Sequence, residues 1–244
     1  MTNYYSDRSL MEIGEGMVRD FYKGCGRIPR KVDIGRFIND YLKMDIAIVD
    51  FAEDDPDEIG FLSDGVTPLK VYMDDAIVSY VSPKDTIVLN SCLDHPWEKN
   101  RKRFTAAHEA GHAVINRMCE GQQKAASFNR VTDTERIYNT KQLHDRMSVN
   151  EWQANTLAAS FLMPRFILDR NIKDIFKSRK IKVYGDNTFA LEERKKIKKL
   201  ADTMEVSQES LILRLKKCRY LDYHSIEEFL DMINIHQVEG IEFV

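Results

Sequence analysis

No stretch of this 244-residue sequence approaches the roughly 18–20 consecutive apolar residues that a helix needs to cross a bilayer. The opening residues, Met1 to Leu10, lack the apolar stretch of a secretory signal. Cysteine is sparse: Cys25, Cys92, Cys119 and Cys218 lie far apart and form no Cys-x-x-Cys pair. That spacing supports neither a zinc ribbon nor a disulfide scaffold, and it suits free thiols in a reducing compartment. The expectation is a cytoplasmic protein with no membrane partner. With 11 Gly and 6 Pro, collagen-like and low-complexity compositions are excluded. No charge of one sign dominates either. Lys and Arg number 36 against 39 Asp and Glu, a net charge of −3, which is not the basic total of a typical nucleic-acid binder.

What the chain does have is 43% hydrophobic and 31% charged residues, the balance of a globular protein able to bury a core in one or two domains. Its charge is segregated. Residues 1–100 sum to −8, residues 101–164 to +3, residues 165–220 to +8 and residues 221–244 to −6. The C-terminal third therefore carries a basic segment followed by an acidic tail.

Apolar residues at three- and four-residue spacing predict helices over 10–22 and 31–43. Five short β-type segments follow, over 46–51, 59–62, 69–73, 77–81 and 86–90, separated by turn clusters such as Asp74-Asp75 and Ser82-Pro83. Further helices are expected over 100–119, 148–163, 165–176, 191–204 and 208–219, with an amphipathic tail over 225–235. Residues 121–147 are polar and take no assignment, and 177–190 read as a linker or short hairpin. The fold class is α+β: a small, mostly antiparallel sheet packed on helices, then a helical C-terminal region. The expected divisions are an N-terminal helical segment over 1–29, a core over 30–165 and the C-terminal region over 166–244.

The strongest chemical signal is His108-Glu109-Ala110-Gly111-His112. Residues four apart share a helix face, so two imidazoles at this spacing can grip one zinc ion. Glu109 is turned about 100° from His108, where it reaches a metal-bound water better than the metal itself. The surrounding helix is apolar, and a carboxylate with two histidines is costly there unless paired or metal-bound. Gly111 costs about 1 kcal/mol relative to Ala in a helix, which calls for compensation such as close approach of another element. Catalytic zinc takes three protein ligands and a water. The extended motif with a third His fails here, because Ile115 and Met118 stand at its Gly and His positions. Glu151 is a candidate third ligand, and Asn155, four residues on, a candidate hydrogen-bond partner for a ligand imidazole. Ser148-x-x-Glu151 is equally a capping box, and His144 and His95 compete for the ligand place.

Three stretches carry a family resemblance. Arg103-Phe104-Thr105-Ala106-Ala107-His108-Glu109-Ala110-Gly111-His112, then Glu151-Trp152-Gln153-Ala154-Asn155 running to Leu162-Met163-Pro164, then Val206-Ser207 with Leu211 and Arg214-Leu215, resemble the ImmA/IrrE-type zinc metallopeptidases. The similarity covers roughly residues 30–220, with Leu157 standing where the family usually has Phe. It implies a zincin-like core, Zn²⁺ as cofactor, and His108, His112 and Glu151 as its ligands. It also implies a protein substrate. Members cleave or inactivate a helix-turn-helix repressor, often one of a phage or mobile element. With Glu109 as general base, an oxyanion donor is expected nearby, and Tyr138, His144 and Arg103 are unranked candidates. Two other classes stay open: a non-proteolytic anti-repressor, and a DNA-binding regulator with structural zinc that uses the basic helices over 191–219.

Overall fold

The computed structural model describes residues 5–52, 58–119, 127–130, 149–178 and 180–238. Helix α1 (Asp7–Phe21) starts at Ser6, whose Oγ accepts from the Ser9 amide. Helix α2 (Ile34–Arg36) opens at Asp33, whose carboxylate accepts from the Arg36 amide, and continues as a π-turn over Phe37–Tyr41. The strands β1 (Asp45–Val49), β2 (Glu58–Leu62), β3 (Leu69–Met73), β4 (Ala76–Tyr80) and β5 (Thr86–Asn90) follow. Then come α3 (Lys99–Met118), β6 (Ser127–Arg130), α4 (Val149–Leu162) and α5 (Arg165–Phe176). The C-terminal part holds β7 (Ile181–Tyr184), α6 (Leu191–Met204), α7 (Gln208–Lys217), β8 (Leu221–His224) and α8 (Ile226–Val238).

The main sheet has the order β1-β5-β2-β6, with β1 and β5 parallel and the other two pairings antiparallel. Helix α3 lies under one face, and the β3–β4 hairpin covers part of the other. Phe51, Phe61, Leu69, Val71 and Val88 form a small separate cluster there. Strand β5 is thus buried on both faces, and it reads Thr-Ile-Val-Leu with no polar alternation. The hairpin turns at Asp74 and Asp75, both left-handed with φ of 47° and 63°, the conformation of a tight primed turn.

The larger core runs from Leu10 and Val18 of α1 through α3 and α4 to Leu211 and Leu215 of α7. Within α3, every residue from Thr105 to Ile115 is buried, because the sheet covers one side and α4 the other. Helix α1 in turn covers α4. The chain is α+β, and the helix limits fall close to those read from periodicity.

One expectation is corrected. Of the two readings of 177–190, the short hairpin is present, with Tyr184 and Thr188 exchanging backbone hydrogen bonds at 2.7 and 2.9 Å, but the linker is not, because β7 pairs in parallel with β8, Ile181 opposite Leu221. Parallel neighbours need a long crossover, and α6 with α7 supplies it. The C-terminal region therefore contains a two-stranded ribbon among its helices. Strand β6 lies inside the stretch that took no assignment.

Candidate metal centre

His108 and His112 sit one turn apart on α3, and Glu151 opens α4, which packs along α3. The helices come this close because position 111 has no side chain. A Cβ there would lie 2.8 Å from the Ala154 carbonyl oxygen and 3.1 Å from the Ala154 Cα. The close approach brings three donors together. His108 Nε2 is 2.9 Å from His112 Nε2 and 3.1 Å from Glu151 Oε2, and His112 Nε2 is 3.3 Å from Glu151 Oε1. Ligand atoms of the three residues all lie within 4.8 Å of one another. Atoms held at 2.0–2.1 Å by a tetrahedral zinc ion stand about 3.3 Å apart, so the donor set fits such an ion. Two imidazole nitrogens and a carboxylate are also the donor types zinc prefers.

Asn155 faces the other side of the first ring, with Oδ1 2.8 Å from His108 Nδ1. An amide oxygen there accepts the Nδ1 proton and leaves the Nε2 lone pair turned toward His112 and Glu151. The electrostatics differ between the two rings. Burial presses both imidazoles toward the neutral form. At His112 it wins and lowers the pKa, while at His108 Glu151, Glu109 and Asn155 outweigh it and raise the pKa. Burial also lifts Glu151, but its two imidazole partners hold it well below the usual carboxylate range.

Glu109 is 0% exposed, and neither carboxylate oxygen has a hydrogen-bond partner among the described residues. Burial pushes its pKa up to about 8, against the pull of His108. A buried, unpartnered carboxylate is expensive. It is accounted for where a cation or water completes the site.

The other sequence candidates fare differently. His95 stacks on Trp97, ring centroids 4.5 Å apart, and takes no part in the three-residue group. Arg103, considered as an oxyanion donor, has its guanidinium engaged elsewhere. It lies about 140° round the helix from His108. Its guanidinium donates to the carbonyls of Glu205 and Val32 at 3.1 and 2.9 Å. Tyr138, His144 and the Ser148 cap lie outside the described residues. Gly60, which contacts Glu109, was not singled out from the sequence, although a glycine inside a strand is a recognised sign of close approach.

The domain model described as IrrE N-terminal-like, a peptidase family, matches residues 67–216, which include His108, Glu109, His112, Glu151 and Asn155. The chain belongs to that family. IrrE N-terminal-like peptidases are metal-dependent, and the His108, His112 and Glu151 group is where this member can bind a metal. A solved structure described as a Mycobacterium tuberculosis transcriptional regulator is similar with a TM-score of 0.42 and 14% identity. The alignment covers 88% of this chain and 48% of that one, so the chain spans about half of that protein. At that level the likeness transfers no role to this IrrE N-terminal-like chain. No curated protein matches it in sequence. Among the described residues, no helix is long and apolar enough to cross a membrane.

Proposed function

We propose that this chain is a zinc-dependent endopeptidase in which His108, His112 and Glu151 hold the ion and Glu109 is the general base. The observation that carries the reading is the meeting of three donors from two helices within 4.8 Å, beside a buried carboxylate with no hydrogen-bond partner among the described residues. Structural zinc sites use four protein ligands. The group here has three among the described residues, which supports an open position for catalysis. Zinc, when bound, polarises the scissile carbonyl and lowers the pKa of water toward about 7. Glu109 accepts the proton of the attacking water and delivers it to the leaving amine nitrogen. Asn155 keeps the His108 ring in one tautomer. The low-dielectric walls of α3 and α4 strengthen each of these charge interactions.

The substrate in this reading is a transcriptional regulator of the helix-turn-helix class, supported by the family resemblance of the three sequence stretches. The test is to incubate such a repressor with the zinc-loaded chain and with its Glu109→Gln variant. Cleavage by the parent chain is expected. The variant should keep its zinc and lose about 10²–10⁴-fold in rate, the usual worth of a positioned acid–base group. Undiminished cleavage by Glu109→Gln would overturn the assignment of the base. Repressor inactivation without cleavage would favour an anti-repressor that acts by binding.

A further inference from the structure

Gly60 stands inside β2, where glycine weakens a strand and often marks a close backbone approach. The register of β2 against β6 shifts between Glu58 and Gly60, so the strand is also irregular at this point. The approach is to the metal helix. A Cβ built on Gly60 would lie 2.5 Å from Thr105 Cγ2, 3.2 Å from Glu109 Oε1 and 3.5 Å from Glu109 Cγ. Thr105 and Glu109 are four residues apart on α3 and so share the face turned to β2. Both are buried, at 1% and 0% exposure. Thr105 is β-branched and restricted at χ1, so it cannot swing aside cheaply.

Glu109 has no hydrogen bond to fix it among the described residues. Its place is set by packing, and the wall it packs against is the backbone of β2 at Gly60. On the opposite side of α3, Gly111 rests on Ala154. The helix is held between two close contacts, one to the sheet and one to the helix that carries Glu151.

We propose that Gly60 is a positioning residue for Glu109: the missing side chain at this point of β2 sets where the carboxylate lies relative to His108 and His112. The proposal rests on Glu109 being the base. Gly60→Ala brings two contacts at once, and they can be separated. Thr105→Ser deletes Cγ2, the more severe contact, and leaves the one to Glu109.

The experiment compares Gly60→Ala, Thr105→Ser and the double variant by three readouts. These are the thermal midpoint of the metal-free chain, zinc affinity by chelator competition, and calorimetric binding of acetohydroxamate to the zinc-loaded chain. Acetohydroxamate offers N–H and O–H donors to a carboxylate beside the metal, so it reports the position of Glu109 without a known substrate. Gly60→Ala should lower the midpoint, and the double variant should recover that of Thr105→Ser with zinc affinity unchanged. Acetohydroxamate should still bind the double variant about tenfold or more weakly than it binds Thr105→Ser, since small misplacements at a reacting centre have large effects. Probe affinity that returns together with the thermal midpoint overturns the proposal and leaves Gly60 as packing for Thr105. The parent chain and Glu109→Gln are run alongside. If Glu109→Gln binds the probe as tightly as the parent, the reading of Glu109 itself falls. If Glu109→Gln weakens binding and the double variant does not, only the role of Gly60 falls.

Discussion

The Nδ1 of His108 meets Asn155 Oδ1 at 2.8 Å, and that contact decides which ring nitrogen carries the proton. Removing the amide frees the ring to turn and to exchange tautomers. Asn155→Ala should therefore weaken zinc binding by about 10–100-fold, the usual effect of losing a partner that orients a ligand. Chelator competition measures it, and Asn155→Asp, which keeps the acceptor, should recover much of the loss. Equal zinc affinity in all three chains would remove Asn155 from the site. At this scale the two histidines and Glu109 were legible, because a spacing of four on a helix is geometry that sequence alone specifies. Asn155 followed from the same rule applied to Glu151. Glu151 was reached only as one candidate beside a capping role and the rival His144 and His95, since 38 residues separate it from His112 and local spacing decides nothing across such a gap. The family resemblance favoured it over those rivals, and the packing of α4 on α3 brings it to both imidazoles. Gly60 went unnoticed because its meaning lies in what crosses it, which a strand pattern does not contain.

Between α3 and α4, propensity and packing make opposite demands at Gly111. Alanine is the better helix former by about 1 kcal/mol. Its Cβ, however, would press on the Ala154 carbonyl oxygen and Cα, backbone atoms that cannot move unless α4 moves. Gly111→Ala should therefore destabilise the chain by about 1–3 kcal/mol, as overpacking does, and should also weaken zinc binding by drawing Glu151 away from the imidazoles. Urea unfolding of the metal-free variant gives the first result and chelator competition the second. A stabilised variant would mean that propensity wins and the contact is loose. Most elements were readable because their signals are local. Pro164 separates α4 from α5, and Ser207 caps α7 by accepting from the Ser210 amide. The β7–β8 ribbon was not readable. Each strand has four residues, and the partner of Ile181 is Leu221, beyond two helices. Parallel pairing across a crossover leaves no mark on the flanking sequence.

Across the whole molecule, charges that looked like surface in the sequence turn out to tie distant segments together. Arg214 belongs to the basic stretch, yet its side chain is 1% exposed and donates to Glu15 of α1 at 2.7 Å and to the Met163 carbonyl at 3.0 Å. Composition cannot separate such an arginine from exposed neighbours like Lys198 and Lys199. Glu15→Gln should leave that guanidinium buried without its counter-charge and cost about 3–5 kcal/mol in equilibrium unfolding. A loss below about 1 kcal/mol would place the pair in the class of exposed bridges. Glu205 makes a second long-range tie. Its carboxylate gathers Lys31, Lys99 at 2.7 Å and Arg103 at 3.7 Å, joining the N-terminal segment and the start of α3 to the turn between α6 and α7. Burial raises its pKa, but these cations outweigh burial and hold it below the ordinary carboxylate value. A carboxylate with a depressed folded-state pKa contributes stability above its unfolded value, about 4.3 for Glu, and loses it as pH falls through the folded value. The parent chain should therefore lose stability on acidification below about pH 4.3 more steeply than Glu205→Gln. The two chains should differ most near neutral pH and converge in acid. Thermal midpoints of the metal-free proteins between pH 3 and pH 7 provide the measurement, with 1 M salt as a second axis because screening weakens half-exposed pairs. Parallel curves for the two chains would show that the Glu205 cluster does not hold these three segments together.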